Sequence, residues 1–169
     1  MSLVAQRSEG TSVLSDLQSG ITGYNHRGVV QYCYATGTIT GTNTVSGIAG
    51  YKQGTVDHCV ALNKEVSATD ASGDVGRVGY NDGGTLSNNF ARAAGMVLKQ
   101  GGTTISPTAA TLTGKDGADI AAAYTHGENC VEFWSAGCDT DLWDLEANRL
   151  PWLRTTEGKA FSEAQNPTV

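Results

Sequence analysis

Apolar positions in this chain come in short runs of about four or five residues, broken by glycine and asparagine. Threonine, valine, isoleucine and tyrosine dominate the runs, and the i, i+3, i+4, i+7 spacing of an amphipathic helix is missing from them. The runs also recur. A four-residue block appears as "GITG" at Gly20, "GIAG" at Gly47 and "GRVG" at Gly76, and a tyrosine follows each. Tyr24, Tyr51 and Tyr80 are spaced by 27 and 29 residues. A second landmark, Cys33, Cys59 or Asn89, precedes Tyr34, Val60 or Phe90 and then Ala35, Ala61 or Ala91. A fixed period of this size marks a solenoid, in which each unit buries its apolar face only against its neighbours.

The pattern predicts an all-β fold: a β-solenoid of the single-stranded parallel β-helix type, with about three coils. One unit has room for roughly three short strands and their turns. Stacked coils, ~4.8 Å apart, place Ile21 over Ile48, Tyr24 over Tyr51 and Tyr80, and Cys33 over Cys59. The alanines suit a narrow interior position. The organisation expected is a lead-in and cap over 1–18, the repeats over 19–98, and a linker and capping segment over 99–169. Trp134, Trp143 and Trp152 would supply the apolar area that closes an open coil end. The third copy departs twice from the pattern, at Arg77 and Asn89. Read against "GIAG", Arg77 takes the place of an inward aliphatic residue. The expectation is a coil that opens there and lets the guanidinium reach water; pairing with Asp74 or Asp82 is the alternative.

Composition narrows the function classes. Twenty-two glycines and 17% charged residues suit strands and tight turns. A net charge of -6 and 11 lysines and arginines argue against a nucleic-acid partner. No apolar run approaches a bilayer span, so no membrane insertion is expected, and Met1-Ser2-Leu3 does not open a signal peptide. Cys33, Cys59, Cys130 and Cys138 lack paired C-x-x-C spacing, against a structural zinc site. Either pair, Cys33 with Cys59 or Cys130 with Cys138, is open to reading as thiols or as a disulfide.

Catalytic motifs are missing as well. There is no His-Glu-x-x-His, no Gly-x-Ser-x-Gly and no phosphate loop, so the chain is not expected to be an enzyme and no cofactor is expected. His26, His58 and His126 read as ordinary loop or half-buried residues. Asp139, Asp141 and Asp144, with Glu146, are candidate calcium ligands, set against a solvated acidic face; Asp70, Asp74 and Asp82 are a further acidic group around the third block. A carbohydrate-cleaving β-helix needs carboxylates converging on the outside of adjacent coils. The equivalent outward slots hold Gln31, Asp57 and Ser87, one acid without a pair. Tyr24, Tyr51 and Tyr80 are left as possible stacking faces for a ligand, unless they merely stack on one another.

The "GITGYN", "GIAGYK" and "GRVGYN" blocks, followed by "CYATG"-like segments, resemble the GLUG repeat of large bacterial surface proteins, over roughly Ser19 to Val97. Such proteins include streptococcal IgA1-specific metallopeptidases and Bacteroides-type cell-surface proteins. The stretch from about Leu112 to Leu153, ending in Leu150-Pro151-Trp152-Leu153, resembles the closing segment that follows those repeats. The resemblance implies a non-catalytic repeat module of a secreted or cell-surface protein, extracellular and monomeric as an isolated domain. It would serve as a structural spacer or an adhesion domain for a host protein or glycan. The alternatives are an accessory domain of a large surface peptidase and a carbohydrate-active β-helix.

Overall fold

A computed structural model of the chain describes residues 2–4, 7–8, 12–13, 16–127, 129–137 and 143–153. The backbone winds as a parallel β-solenoid of about four turns, each turn supplying up to five strands of two to four residues. The sequence period suggested roughly three strands per turn. The chain bends more often than that because glycine, asparagine and other turn residues interrupt it every few positions.

Face one stacks Ser2–Val4, Val29–Gln31, Thr55–Asp57 and Thr85–Ser87. Face two stacks Arg7–Ser8, Tyr34–Ala35, Val60–Ala61 and Phe90–Arg92. Face three carries Ser12–Val13, Ile39–Gly41, Glu65–Ala68 and Val97–Gln100. Leu17–Ser19, Thr44–Ser46 and Asp74–Gly76 make face four. Thr22–Asn25, Ala49–Lys52 and Gly79–Asn81 make face five. The strands before residue 20 therefore belong to a first turn, although they lack the glycine block that marks the other three.

Equivalent residues form the expected ladders. Val30, Val56 and Leu86 align inside face one, and Ala35, Ala61 and Ala91 inside face two. Ile39, Val66 and Leu98 fill the interior behind face three. The in-register pairs Tyr34–Val60 and Val60–Phe90 follow Cys33, Cys59 and Asn89, so these three stack as well. Cys33 and Cys59 are buried and not joined by a disulfide. Asn89 continues their ladder as a buried, satisfied amide. Its Oδ1 accepts from Cys59 N at 2.9 Å, and its Nδ2 donates to Val56 O at 2.9 Å. The corner ahead of each is a left-handed, non-glycine residue: Tyr32, His58 and Asn88 have φ of 55°, 49° and 52°. That conformation is costly outside glycine and asparagine.

The third glycine block sits in a different frame from its sequence alignment. Gly47 N donates to Arg77 O and Ile48 N to Val78 O, so Arg77 matches Gly47 and Val78 matches Ile48. An irregularity between Ala49 and Tyr51 then restores Tyr51 opposite Tyr80. Val78, with Ile48 and Ile21, is the inward aliphatic residue of the block. A Cβ on Gly20 would lie 2.4 Å from Gly47 O, and one on Gly47 would lie 2.2 Å from Arg77 O. Glycine is thus required wherever another turn follows. Arg77, in the last copy, escapes that constraint.

The expectation of a solvent-seeking Arg77 is overturned. Its residue is 2% exposed. Nε donates to Asp116 O at 2.8 Å, Nη2 to Gly117 O at 3.0 Å and Nη1 to Arg92 O at 3.2 Å. The paired carboxylate is Asp119, 2.7 Å from Nη1, and not Asp74 or Asp82. Residues 108–120 close this end of the solenoid. Lys115 O accepts from Val78 N and Gly79 N, and Leu112 O accepts from Asn89 N, so edge donors of the last turn find acceptors. Asp116 ties the segment together, accepting from Arg77 N, Thr108 N and Ala109 N.

The C-terminal segment adds Ala118–Ile120 to face two and then forms helices α1, Ala122–Thr125, and α2, Cys130–Gly137, and a short pairing of Trp143–Asp144 with Trp152–Leu153. Trp134 and Trp143 do not sit over the coil end, where a cap was expected. They pack on the outside of face two against Tyr34 and Val60, with Ile120, Cys130 and Leu150. The Tyr34 hydroxyl donates to Pro151 O at 2.6 Å. The reason is the outward apolar ladder Tyr34, Val60, Phe90: alternation along a strand puts alanine inside and these larger residues outside, where they need a cover. No helix among the described residues is long and apolar enough to cross a membrane.

Candidate functional site

The three tyrosines singled out by the repeat do project from face five as one column. Tyr24 and Tyr51 stack with centroids 5.2 Å apart, and Tyr51 and Tyr80 follow at 6.1 Å. His26 lies nearly parallel to Tyr24, at 5.8 Å and 12°. Tyr51, the middle member, has a ring neighbour in the turn on either side, whereas Tyr24 is 50% exposed. The Tyr51 hydroxyl donates to Asp82, and that bond raises its pKa above the ordinary tyrosine value, aided by desolvation and the Asp82 charge. The arrangement is that of a structural ladder.

A second aromatic surface lies where the C-terminal segment meets faces one and two. A groove of about 550 Å³ opens there, inside the roughly 300–1,000 Å³ range of small-ligand sites. Val60, Phe90, Phe133, Trp134 and Leu112 give it apolar walls. Phe133 meets Phe90 and Trp134 edge to face at 5.3 and 5.1 Å, and Trp134 Nε1 donates to Thr125 O at 2.7 Å. Those contacts fix the aromatic floor before any ligand arrives. Tyr124 on α1 stands at the groove 49% exposed, and Leu112 is 40% exposed. Two of the four exposed large apolar side chains among the described residues therefore line this groove.

The polar part of the lining consists of His58, Asn88, Asn129 and Glu132. His58 and Asn88 are the left-handed corner residues of successive turns, so the backbone strain of that corner positions both. Asp57 anchors them from behind. Its carboxylate meets His58 Nδ1 at 2.8 Å and accepts from Ser87 Oγ at 2.7 Å and Asn88 Nδ2 at 3.1 Å. Partial burial pushes the Asp57 carboxyl up, but the bonds from Ser87, His58 and Asn88 outweigh it and hold the pKa below the ordinary aspartate value. The carboxylate on Nδ1 fixes the orientation of the ring. Among the described residues, no lysine or arginine lines the groove.

The outward slots Gln31, Asp57 and Ser87 align as expected. Asp57 is committed to its three hydrogen-bond partners, so it reads as a positioning group for the corner. Asp139 and Asp141 lie outside the described residues. Asp144 is half-buried beside Trp143, and Glu146 is taken up by Arg149 at 2.6 Å. Asp70 accepts from Ser72 N and Ser72 Oγ, which holds its carboxyl below the ordinary range. Among the described residues, no group of three histidine, cysteine or acidic side chains is placed to hold a metal. Cys130 is a buried free thiol, and Cys138 lies outside the described residues. Burial, more than the nearby Arg92 charge, lowers the pKa of His126.

Sequence reasoning placed none of the groove. Its walls come from two turns of the repeats, at 58–60 and 88–90, and from the segment assigned to capping, between 112 and 134. The available signal was the outward ladder Tyr34, Val60, Phe90, too apolar to face water. Fold and surface together define an all-β parallel solenoid carrying a flanking aromatic groove. Nothing among family models, curated proteins or solved structures matches the chain.

Proposed function

We propose that the chain is a non-catalytic solenoid module of a secreted or cell-surface protein, of the kind its GLUG-like blocks suggest, acting as a stiff spacer that also presents a binding surface. The observation that carries this reading is the concentration of exposed apolar side chains at one groove on an otherwise regularly stacked rod. Contiguous exposed apolar surface rimmed by polar groups is characteristic of interaction sites.

Saccharide cleavage is the second reading, favoured by His58 and Glu132 lining one groove. The two readings separate in an activity assay of the full chain on neutral and acidic polysaccharides and on immunoglobulin. The expected result is no turnover. Turnover that a single Glu132→Gln or His58→Ala substitution abolishes would establish an enzyme instead.

A further inference from the structure

We propose that the groove beside face two is a binding site for a neutral saccharide. This rests on the reading of the chain as a binding module and names the ligand class. The lining combines two things that such a ligand needs. A pyranose ring has apolar C–H faces and a rim of hydroxyls that both donate and accept. Tyr124 and Phe133 supply aromatic surface for the first, and the negative face of an aromatic ring attracts polarised C–H groups. Asn88 and Asn129 supply planar amides for the second, each able to donate and accept, and His58 and Glu132 add further polar groups.

The charge of the lining sharpens the class. Phosphate, sulfate or carboxylate ligands call for arginine, lysine or a cluster of free backbone N–H groups. Here the charged lining residue among the described residues is Glu132, in a chain of net charge -6. Uronic and sialic acids are thereby disfavoured against uncharged hexoses and N-acetylhexosamines. Asn88 and Asn129 put amides on the rim, which suits a hydroxylated ligand better than a purely apolar one. The site is also preorganised. The aromatic floor is locked by edge-to-face contacts and the Trp134–Thr125 bond, and the rim is held through Asp57.

The test is a glycan array probed with the full chain, followed by titration of cellohexaose, maltohexaose and chitotetraose monitored by Trp fluorescence, because Trp134 lines the groove. The expected result is selective capture of neutral glycans over acidic ones. Tyr124→Ala should weaken a bound oligosaccharide at least tenfold. Tyr124 is exposed on a short helix, so the variant should keep its fold, to be checked by its unfolding midpoint. Tyr24→Ala, on face five, should leave affinity unchanged. The proposal fails if nothing on the array binds, if acidic glycans are preferred, or if binding survives Tyr124→Ala. Choline is the counter-probe: a site that takes choline and no saccharide is an aromatic cage for a cation. Loss of the saccharide proposal leaves the non-catalytic reading intact, whereas hydrolysis of a bound glycan overturns that reading and keeps the ligand class.

Discussion

Arg77 shows how one residue can change role with position along a solenoid. Its equivalent in the preceding turn, Gly47, has no room for a side chain because the next turn's carbonyl lies against it. In the last turn that carbonyl is missing, and a long cation gathers the closing segment instead. Three backbone carbonyls and Asp119 receive its guanidinium. Read from the aligned blocks, Arg77→Leu would be neutral or stabilising; the buried geometry reverses that. Leucine would leave those carbonyls short of donors, at a cost of roughly 2–4 kcal/mol. Asp119→Ala should cost less than about 1 kcal/mol, because that carboxylate is 61% exposed and its pairing is screened by water. Urea unfolding of both variants checks the pair. An Arg77→Leu protein as stable as the parent would refute the closing role.

At the scale of an element, the unit of stability is the ladder. The tyrosine column on face five is built by in-register pairing of Tyr24, Tyr51 and Tyr80, and each ring contact adds about 0.5–1.5 kcal/mol beyond area burial. Tyr51 is the middle member and makes two such contacts. Tyr51→Ala should therefore destabilise by about 1–3 kcal/mol, more than Tyr80→Ala, while saccharide affinity stays at the parent value. Thermal unfolding and the titration above report the two quantities separately. A Tyr51→Ala protein of unchanged stability but lost binding would move the functional site to face five. The column was legible in the sequence as a period. Its role was not, because spacing says which residues align and is silent on whether their faces are left free.

Across the whole molecule, the interior is reached only by taking the turns apart. Cys33 and Cys59 are 1% and 0% exposed, and burial pushes the Cys59 thiol pKa well up, further raised by its neighbour Cys33. A thiol so placed is a poor nucleophile until the fold opens as a unit. A thiol reagent should therefore find Cys33 and Cys59 unreactive in the folded protein. At least three thiols should react in denaturant without reductant, counting Cys130. A count that reaches three only after reduction would reveal a disulfide. The flanking segment belongs to the same unit, because Tyr34 and Val60 are buried only beneath Trp134, Trp143 and Leu150.

The sequence by itself determined the solenoid. Strand alternation and a repeat of 27 to 29 residues suffice to stack equivalent positions, since each turn's pairing is dictated by the turn before it. Ile21 over Ile48, the alanine ladder and the cysteine pair all followed from that local rule. The frame of the third block did not, because "GRVG" fits the pattern in either of two frames one residue apart. The carbonyl pairing of Gly47 with Arg77 and the packing of Val78 inside choose between them. The first turn was hidden for a related reason: its strands carry no glycine block to announce them. The flank and its groove were decided by tertiary structure entirely. They depend on where an outward apolar ladder finds its cover, and that cover comes from residues far along the chain whose own pattern carries no register with the repeat.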